Sequence, residues 1–442
     1  MNPVLAIPAL AFVLLAVAMF KADGLVLGRA MIVGGWSIFV LTSPSGQFPH
    51  VLRPLSIVIA IGGVGLHALS RRQDEIVDAA RRRRLPVTSR LLFVYVVFVF
   101  LGCAASPYGP RNLVRWVQGA ALVATGFYAV AAELTTVVLV GTFVTCAVNV
   151  VLSVLSRRQE LGPNGAFDGR LAGYMAPNHL AFTAAEVLIG VAWAWSRYEH
   201  VRVPGIGNVR LRIPFVVCTV VSLYALYATR SRTGLLGVLI AMGVAWLASP
   251  KYAGKRTKTV FGIAMVVMIT APFVSSAVGT YLNRDNSTEG LTSLTGRTDF
   301  WPVVVDLVEA RPVIGWGVNV FFTPEGKRFQ EIIPGLGQAH NAFLEAGLQA
   351  GVVGMLAWGA SMIGVMFGSF RIRRTSDYRS LLIAASVLIF LSSWTESNPA
   401  WFGDMFVIYI LCAALYSQET QPEAEQLPLA ASRELAFAGA VS

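Results

Sequence analysis

Long apolar runs, separated by short polar breaks, recur along almost the whole chain of 442 residues. A run of roughly 17 to 25 apolar residues is long enough to cross a bilayer as a helix. Hydrophobic residues make up 55% of the chain and charged residues only 13%, whereas about a quarter of a soluble domain is charged. The sequence therefore predicts an all-α polytopic membrane protein with about 12–14 transmembrane helices. We place the runs at 4–20, 25–41, 55–70, 91–105, 114–132, 134–155, 180–196, 213–229, 234–249, 259–278, 343–370, 381–394 and 402–416.

Arginine and lysine cluster in a subset of the short loops, and these loops fall on one side of the membrane when the runs are counted. Cytoplasmic loops of membrane proteins carry an excess of these two residues. The same bias explains most of the formal net charge of +11, so we predict no nucleic-acid partner. We assign to the cytoplasm the loops 71–90, 197–212, 251–258 and 371–379, and to the outside the segments 157–178, 230–233, 279–342 and 395–401.

The first apolar run and the four cysteines narrow the class of protein further. No Lys or Arg precedes the run 4–20, so we expect a spanning helix and not a cleaved signal peptide. The cysteines lie within apolar runs and have no paired spacing. This pattern predicts small buried side chains, with neither a disulfide framework nor a metal site.

The long outer loop at 279–342 contains the pattern of one amphipathic helix. Apolar residues recur at helical spacing through 299–310, with acidic residues on the opposite side. Thr298 is a candidate cap, and Pro312 ends the helix because the residue before a proline avoids the helical region. We expect this helix to lie along the outer membrane surface and to hold Arg297 at the depth of the lipid headgroups.

His340 and Asn341 come just before the apolar run 343–370. We expect His340 in the first turn of that helix, where the positive end of the dipole favours the neutral imidazole that accepts a proton. A histidine that only caps the helix or hydrogen-bonds at the interface is the plainer interpretation. His179 also precedes a spanning helix and is the rival candidate for a base.

Arg230 and Arg232 crowd a turn of a few residues on the outer side. Arginines at helix ends often only extend their charge to the interface. Their place on the side that disfavours basic residues gives a ligand interpretation equal weight, because a guanidinium pair suits a diphosphate. Arg170 is a further outward cation, and Asn178 precedes a helix that it is able to cap. We expect the last outer turn, with Glu396, to be solvated.

Several short motifs, taken in order, resemble the O-antigen ligase and polymerase superfamily of bacterial lipid-linked glycan ligases and polymerases. The resemblance covers about residues 169–358 and rests on the order and spacing of the motifs. Phe343 stands where this family often has tyrosine. The motifs are Gly169-Arg170, Pro177-Asn178, Ser231-Arg232-Thr233, Gly296-Arg297 followed by Trp301, the spacing of Pro312, Gly315 and Gly317, and His340-Asn341.

The resemblance implies a metal-independent, inverting glycosyltransferase of the bacterial cytoplasmic membrane, with its site on the extracytoplasmic face. It implies a glycan donor carried on undecaprenyl diphosphate, a glycan or lipid-glycan acceptor, surrounding membrane lipids and no cofactor. His340 matches the family's essential histidine, and Arg232 and Arg297 match its functional arginines. The candidates for binding the diphosphate or the glycan are Arg170, Arg230, Asn178, Asn341, Arg311 and Trp301.

This interpretation divides the chain into N-terminal transmembrane helices at 1–168, a catalytic O-antigen ligase-like membrane domain at 169–416 and a polar cytoplasmic tail at 417–442. Ligase and polymerase stay equally open, because the acceptor would be recognised by loop surfaces that carry no readable code. A lipid-linked oligosaccharide flippase or another polytopic transporter is the alternative. Transport usually needs ionisable residues or broken helices at the bilayer midplane, and the predicted spans hold few acids.

Overall fold

A computed structural model gives the fold for most of the predicted spans. Its described part consists of helices together with two small β-hairpins. The predicted runs 4–20 and 259–278 lie outside the described residues, and the run 25–41 is described only in part. The structure describes residues 28–38 with gaps, 52–70, 85–106, 109–132, 134–157, 159–161, 167–173, 176–195, 197, 200–203, 207–210, 212–249, 297–318, 320–322, 338–373, 375–397, 400 and 404–420.

The helices coincide with the remaining predicted runs and mostly begin a few residues earlier. In chain order they are α1 (Leu52–Ser70), α2 (Val87–Ala104), α3 (Gly109–Ala131), α4 (Thr135–Ser156), α5 (Pro177–Trp195), α6 (Arg212–Ala228), α7 (Arg232–Ala248), α8 (Arg297–Ala310), α9 (Ala342–Ser369), α10 (Arg379–Ser393) and α11 (Asp404–Glu419). Among the described residues, α2, α3, α4 and α9 are long and apolar enough to cross a membrane. The prediction of an all-α polytopic membrane protein is confirmed.

Two antiparallel hairpins lie in the connections and were not predicted. Strands β1 (Gln159–Leu161) and β2 (Phe167–Leu171) precede α5, and strands β3 (His200–Val203) and β4 (Gly207–Arg210) follow it. Each hairpin pairs backbone groups in a connection that is too polar to extend a spanning helix. The first hairpin leads directly from α4 towards the start of α5, where it positions Arg170.

Helix α9 is interrupted at Gly351, whose backbone is non-helical with φ 68° and ψ −175°. The segment 312–318 is inserted at this break. Trp316 N donates to Leu348 O at 2.7 Å, and Gly317 N donates to Gln349 O at 3.0 Å. A Cβ at residue 351 would lie 2.5 Å from backbone atoms of Pro312 and Val313, so only glycine fits there. Part of the predicted outer loop is therefore packed between helices.

The predicted amphipathic helix is present as α8, but its surroundings differ from the expectation. Val304 is fully buried, and Phe300 and Leu307 are nearly so. Their stripe packs against protein and not along the membrane surface, because the inserted segment and α9 lie beneath it. The buried residues of this cluster are Phe300, Val304, Leu307, Val308, Trp316, Val320, Phe321, Ala339 and Leu348.

The polar groups of α5, α7 and α10 separate to the two ends of the bundle. At one end, Arg379 at the start of α10 donates to the carbonyl of Ala248 at the end of α7. Arg197, after the end of α5, pairs with Asp377 at the same end, with 3.3 Å between Nη2 and Oδ1. The opposite end, which we call the site end, carries the start of α5, the start of α7 and the turn after α10.

Candidate functional site

A buried carboxylate, Glu396, lies at the centre of the polar groups at the site end. Only 1% of its side chain is exposed, and its Oε2 lies 3.7 Å from His340 Nδ1. The same oxygen lies 4.0 Å from His179 Nε2. The other oxygen, Oε1, accepts a hydrogen bond of 2.9 Å from Asn178 Nδ2. Both histidines that the sequence offered as a base therefore face one acid.

Arg170 extends this arrangement towards the turn that contains Arg230 and Arg232. It is nearly buried, because β2 holds its backbone against the helix ends. Its Nη2 donates to Asn178 Oδ1 at 2.8 Å, and its Nε donates to Thr229 O at 2.8 Å. A continuous chain of contacts thus runs from the arginine turn through Arg170, Asn178 and Glu396 to His340.

His340 does not occupy the first turn of α9, so that expectation is wrong. Asn341 is the N-cap, and its Oδ1 accepts from the backbone N–H groups of Phe343 and Leu344. His340 precedes the cap with φ 48°, a left-handed conformation that is uncommon for a residue other than glycine. Its ring meets the edge of Phe300, with 6.0 Å between ring centroids. Such backbone strain persists where surrounding contacts fix it, often at functional sites.

The turn between α6 and α7 presents its two arginines differently. Arg230 is exposed and has φ 49°, so the chain reverses sharply at this residue. Ser231 caps α7 by accepting a 3.3 Å hydrogen bond from Gly234 N. Arg232, the first residue of α7, is partly exposed. Its position at a helix start and next to Arg230 concentrates positive charge at the edge of the site.

Arg297 begins α8, but its side chain lies outside the described residues. The structure therefore gives the position of its backbone and no contact of its guanidinium group. The helix that carries it is fixed through the packed stripe of Val304 and Leu307 and through Trp301, whose Nε1 donates to Ala339 O at 3.2 Å. Trp301 thus ties α8 to the residue that precedes His340.

Arg311 makes contacts away from the buried carboxylate. Its guanidinium carbon lies 4.1 Å from the centroid of the Trp316 ring, and its Nη1 donates to Ala105 O at 3.4 Å. These contacts hold the segment inserted into α9 against the end of α2. Arg311 and Trp301 therefore support the fold around the site, and the structure does not bring them to Glu396.

The expectation that the turn with Glu396 is solvated is wrong. Glu396 and Ser397 are both buried, and the backbone N–H of Glu396 donates to Ser392 O at 2.8 Å. The turn folds back onto the end of α10, so its side chains point between α5 and α9. The turn is too short to carry an acid far from two spanning helices, which is the signal that the sequence offered. Among the residues described, no group of three His, Cys, Asp or Glu side chains is arranged to hold a metal ion.

Comparison with known proteins supports the family resemblance. Residues 217–359 match the family model of O-antigen ligase. Over 294 residues the chain is 22% identical to the exopolysaccharide production protein ExoQ of Rhizobium meliloti (strain 1021), a match that covers 62% of this chain. The match covers 65% of ExoQ, somewhat less than two thirds of its length. No solved structure matches the chain.

The matched stretch contains some of the site residues and not others. Arg232, Arg297 and His340 lie within residues 217–359. Asn178 and Glu396 lie on either side of it. The resemblance to the O-antigen ligase and polymerase superfamily is confirmed, while the buried carboxylate emerges from the three-dimensional structure.

Proposed function

We propose that this chain, which shares the O-antigen ligase domain of the O-antigen ligase and polymerase superfamily, moves a glycan from undecaprenyl diphosphate to a hydroxyl group of an acceptor glycan. The observation that carries the proposal is the 3.7 Å approach of His340 Nδ1 to the buried Glu396 carboxylate. An imidazole that lies close to a buried acid is an arrangement that suits general-base catalysis.

His340 acts as the general base in this reaction. We assign the tautomer that carries its proton on Nδ1, which lies 3.7 Å from Glu396 Oε2 and 3.4 Å from the Gln338 side-chain amide. This tautomer keeps the lone pair on Nε2, the nitrogen left for the acceptor hydroxyl. When Nε2 takes the proton, the carboxylate stabilises the imidazolium that forms. His179 lies at the other side of the same carboxylate oxygen. It is 13% exposed whereas the His340 side chain is 34% exposed, so His340 is the more accessible base.

The arginines bind the donor diphosphate and stabilise its charge as it leaves. Arg232 and Arg297 carry this role, because fixed guanidinium groups bind phosphate oxygens with two hydrogen bonds and do not lose their charge. Arg230 extends the cationic edge, and Arg170 with Asn178 holds Glu396 in place. Asn341 contributes by capping α9, which fixes the residue before it, His340.

The proposed reaction is a single displacement at the anomeric carbon of the donor glycan. The acceptor oxygen forms a bond to that carbon as the bond to the diphosphate oxygen breaks, and the configuration inverts. The hydroxyl proton goes to His340, and the electron pair leaves with undecaprenyl diphosphate. Fixed cations assist this leaving group without a metal ion. The donor's polyprenyl chain requires a membrane, and the positive-inside count puts the arginine turn and His340 outside, so we assign the site to the extracytoplasmic face of a bacterial inner membrane.

The test uses purified protein in vesicles with an undecaprenyl-diphosphate-linked glycan and an acceptor glycan. We expect His340→Ala to lower the transfer rate about 100-fold to 10,000-fold, because general-base catalysis contributes that much. His67→Ala is the matched control, since His67 is a buried histidine of α1 that hydrogen-bonds Tyr128 of α3 at 2.8 Å. Transfer at the wild-type rate by the folded His340→Ala protein would refute the assignment.

A flippase is the second candidate, and one buried acid favours it. Glu186 lies within α5 and is 2% exposed, and its Oε2 accepts a 3.7 Å hydrogen bond from Cys146 Sγ. Intramembrane acids of this kind often belong to transport pathways. Movement of the labelled donor across the vesicle membrane, abolished by Glu186→Gln and unaffected by His340→Ala, would identify a flippase. The opposite pattern identifies the transferase.

Ligase and polymerase activity differ in what a cell lacking the protein accumulates. Single lipid-linked repeat units would accumulate if the missing protein is a polymerase. Long lipid-linked chains would accumulate if it is a ligase. The name of ExoQ refers to exopolysaccharide production, which makes a polymer-forming reaction the first to be assayed.

A further inference from the structure

Three buried polar side chains connect α2 and α9 beneath the site. Tyr95 of α2 and Glu345 and Gln349 of α9 are each only 1% exposed. The Tyr95 hydroxyl lies 2.9 Å from Gln349 Oε1, and Gln349 Nε2 donates to Glu345 Oε1 at 3.1 Å. Burying polar groups in a membrane protein is costly unless they are hydrogen-bonded. A connected set of three in otherwise apolar helices therefore calls for a role.

One end of this set fixes the residue next to His340. Glu345 Oε2 accepts a 2.9 Å hydrogen bond from the backbone N–H of Ala339. This bond closes the chain over the start of α9 and holds the left-handed turn in which His340 sits. Because the carboxylate is buried, water does not compete for Ala339 N–H, and the turn is held more strongly than an exposed one.

The other end fixes the turn that carries Glu396. The Tyr95 hydroxyl also lies 2.9 Å from Ala400 O, and Ala400 N donates to Ser397 O at 3.0 Å. A displacement of Tyr95 would therefore displace the whole turn. The backbone carbonyl of Gln349 accepts a hydrogen bond from Gly317 N. This bond connects the segment that follows α8 to the same helix α9 residue.

We propose that Tyr95, Glu345 and Gln349 are positioning residues, a buried network that sets the separation between His340 and Glu396 and ties α8 to both. The network touches no substrate. Its catalytic role rests on the proposed function, in which His340 must face both Glu396 and the acceptor. A misplacement of about 1 Å is enough to lower an enzymatic rate by roughly 100-fold, so small shifts of the three anchored segments would slow the reaction.

The substitution Tyr95→Phe tests the network because it removes one hydroxyl group and leaves the ring in place. The matched control is Tyr409→Phe, since Tyr409 is equally buried and its hydroxyl donates to Ser361 Oγ at 2.6 Å without contacting the site. We expect kcat to fall about tenfold to 100-fold in Tyr95→Phe, with an unchanged KM for the donor. Tyr409→Phe should keep the wild-type kcat. Equal losses in the two variants, or no loss in Tyr95→Phe, would overturn the proposal.

Substitution of Glu345 separates position from charge. In Glu345→Gln, the new amide oxygen still accepts from Ala339 N, and flipping the Gln349 amide restores the remaining bonds because the Tyr95 hydroxyl can accept as well as donate. Glu345→Ala cannot make these bonds. We expect the Gln variant to keep most of the kcat and the Ala variant to lose as much as Tyr95→Phe. Equal losses in both would show that the charge of Glu345, and not its hydrogen bonds, is required.

A second measurement does not depend on glycan transfer. Diethyl pyrocarbonate modifies accessible imidazole, and mass spectrometry reports its rate at His340 specifically. We expect Tyr95→Phe to change this rate severalfold and Tyr409→Phe to leave it unchanged. If the wild-type protein transfers no glycan but the rate at His340 still responds to Tyr95→Phe, the proposed function fails and the network stands. If transfer occurs and His340 does not respond, the network fails alone.

Discussion

Arg170 and Arg379 are both nearly buried, at 6% and 9% exposure, and they lie at opposite ends of the same bundle. Arg379 donates to three backbone carbonyls, which belong to Ala248, Phe370 and Ile372. These carbonyls end or follow α7 and α9, where the helix leaves acceptors without intrahelical donors. Arg379 therefore stabilises the architecture where two helices end.

Arg170 differs from Arg379 in the acceptors of its hydrogen bonds. One goes to a backbone carbonyl, and another goes to the side chain of Asn178, which in turn binds Glu396. The main-chain carbonyls that Arg379 binds are not reactive groups, so these hydrogen bonds stabilise the packing of the helix ends. A guanidinium group bound through side chains to a carboxylate and two histidines sets the positions of the groups to which we assign proton transfer in the proposed reaction. Burial of an arginine thus does not distinguish structure from function, whereas the type of its acceptor does.

The strongest test of this difference removes the charge at the centre of the site end. Glu396→Gln keeps the shape of the side chain and its capacity to bind Asn178, but it no longer stabilises a protonated His340. We expect the transfer rate to fall about 100-fold to 10,000-fold with little change in thermal unfolding, as for loss of the acid in a Ser-His-Asp triad. Donor turnover in vesicles measures this, with the exposed Glu309→Gln as the control. Unimpaired turnover would show that the carboxylate is only structural.

Exchanging each buried arginine for methionine should separate activity from stability. Arg379→Met leaves three buried carbonyls without their donor, so we expect the free energy of unfolding to fall by about 3 kcal/mol while the folded fraction keeps its kcat. Arg170→Met loosens Asn178 and Glu396, so we expect kcat to fall at least tenfold, the equivalent of about 1.4 kcal/mol. Thermal unfolding and donor turnover are measured on both variants. The same response in both would erase the distinction between the two ends.

The smallest effect is expected from the exposed arginines. Arg230→Ala removes one charge at the edge of the site end, so we expect the KM for the donor to rise about threefold to tenfold, with a smaller increase at high salt. Arg371→Ala removes an equally exposed charge at the opposite end and should leave the KM unchanged. Titration of the lipid-linked donor at two ionic strengths measures both. A matching rise in KM for Arg371→Ala would point to a general effect of charge on membrane binding.

The helices were predictable because their signals are local. Hydropathy alone located the spans that the structure describes. Pro312 follows the end of α8 as predicted, whereas the helix already begins at Arg297, so Thr298 is not its cap. The capping role of Asn341 was also available, since an asparagine before an apolar run is a common helix start. The error at His340 was a shift of two residues in the start of α9, which is the usual uncertainty of a helix boundary.

Other features were hidden because they depend on partners distant in sequence. Glu396 is buried only because α5 and α9 converge over the turn that follows α10. The shortness of the turn keeps the acid near the helix ends, but no pattern around residue 396 shows that these two helices meet there. The break at Gly351 required knowledge that the segment beginning at Pro312 lies beside it. In a run of apolar residues, that glycine looked like any other glycine of a membrane helix. The family resemblance identified His340, Arg232 and Arg297 as candidates, but it did not identify Glu396.

The segment inserted at Gly351 has a consequence for how this protein can diversify. Gly317 is bound to Gln349, and Ala339 is bound to Glu345, so the stretch between them is anchored to α9 at both ends, and Val320 and Phe321 near its start pack into the buried cluster with α8. Lengthening such a stretch costs little, because each doubling of loop length adds only about 0.6 kcal/mol of closure entropy. Insertions between residues 322 and 338 are therefore expected to leave both anchors, and with them the backbone position of His340, unchanged.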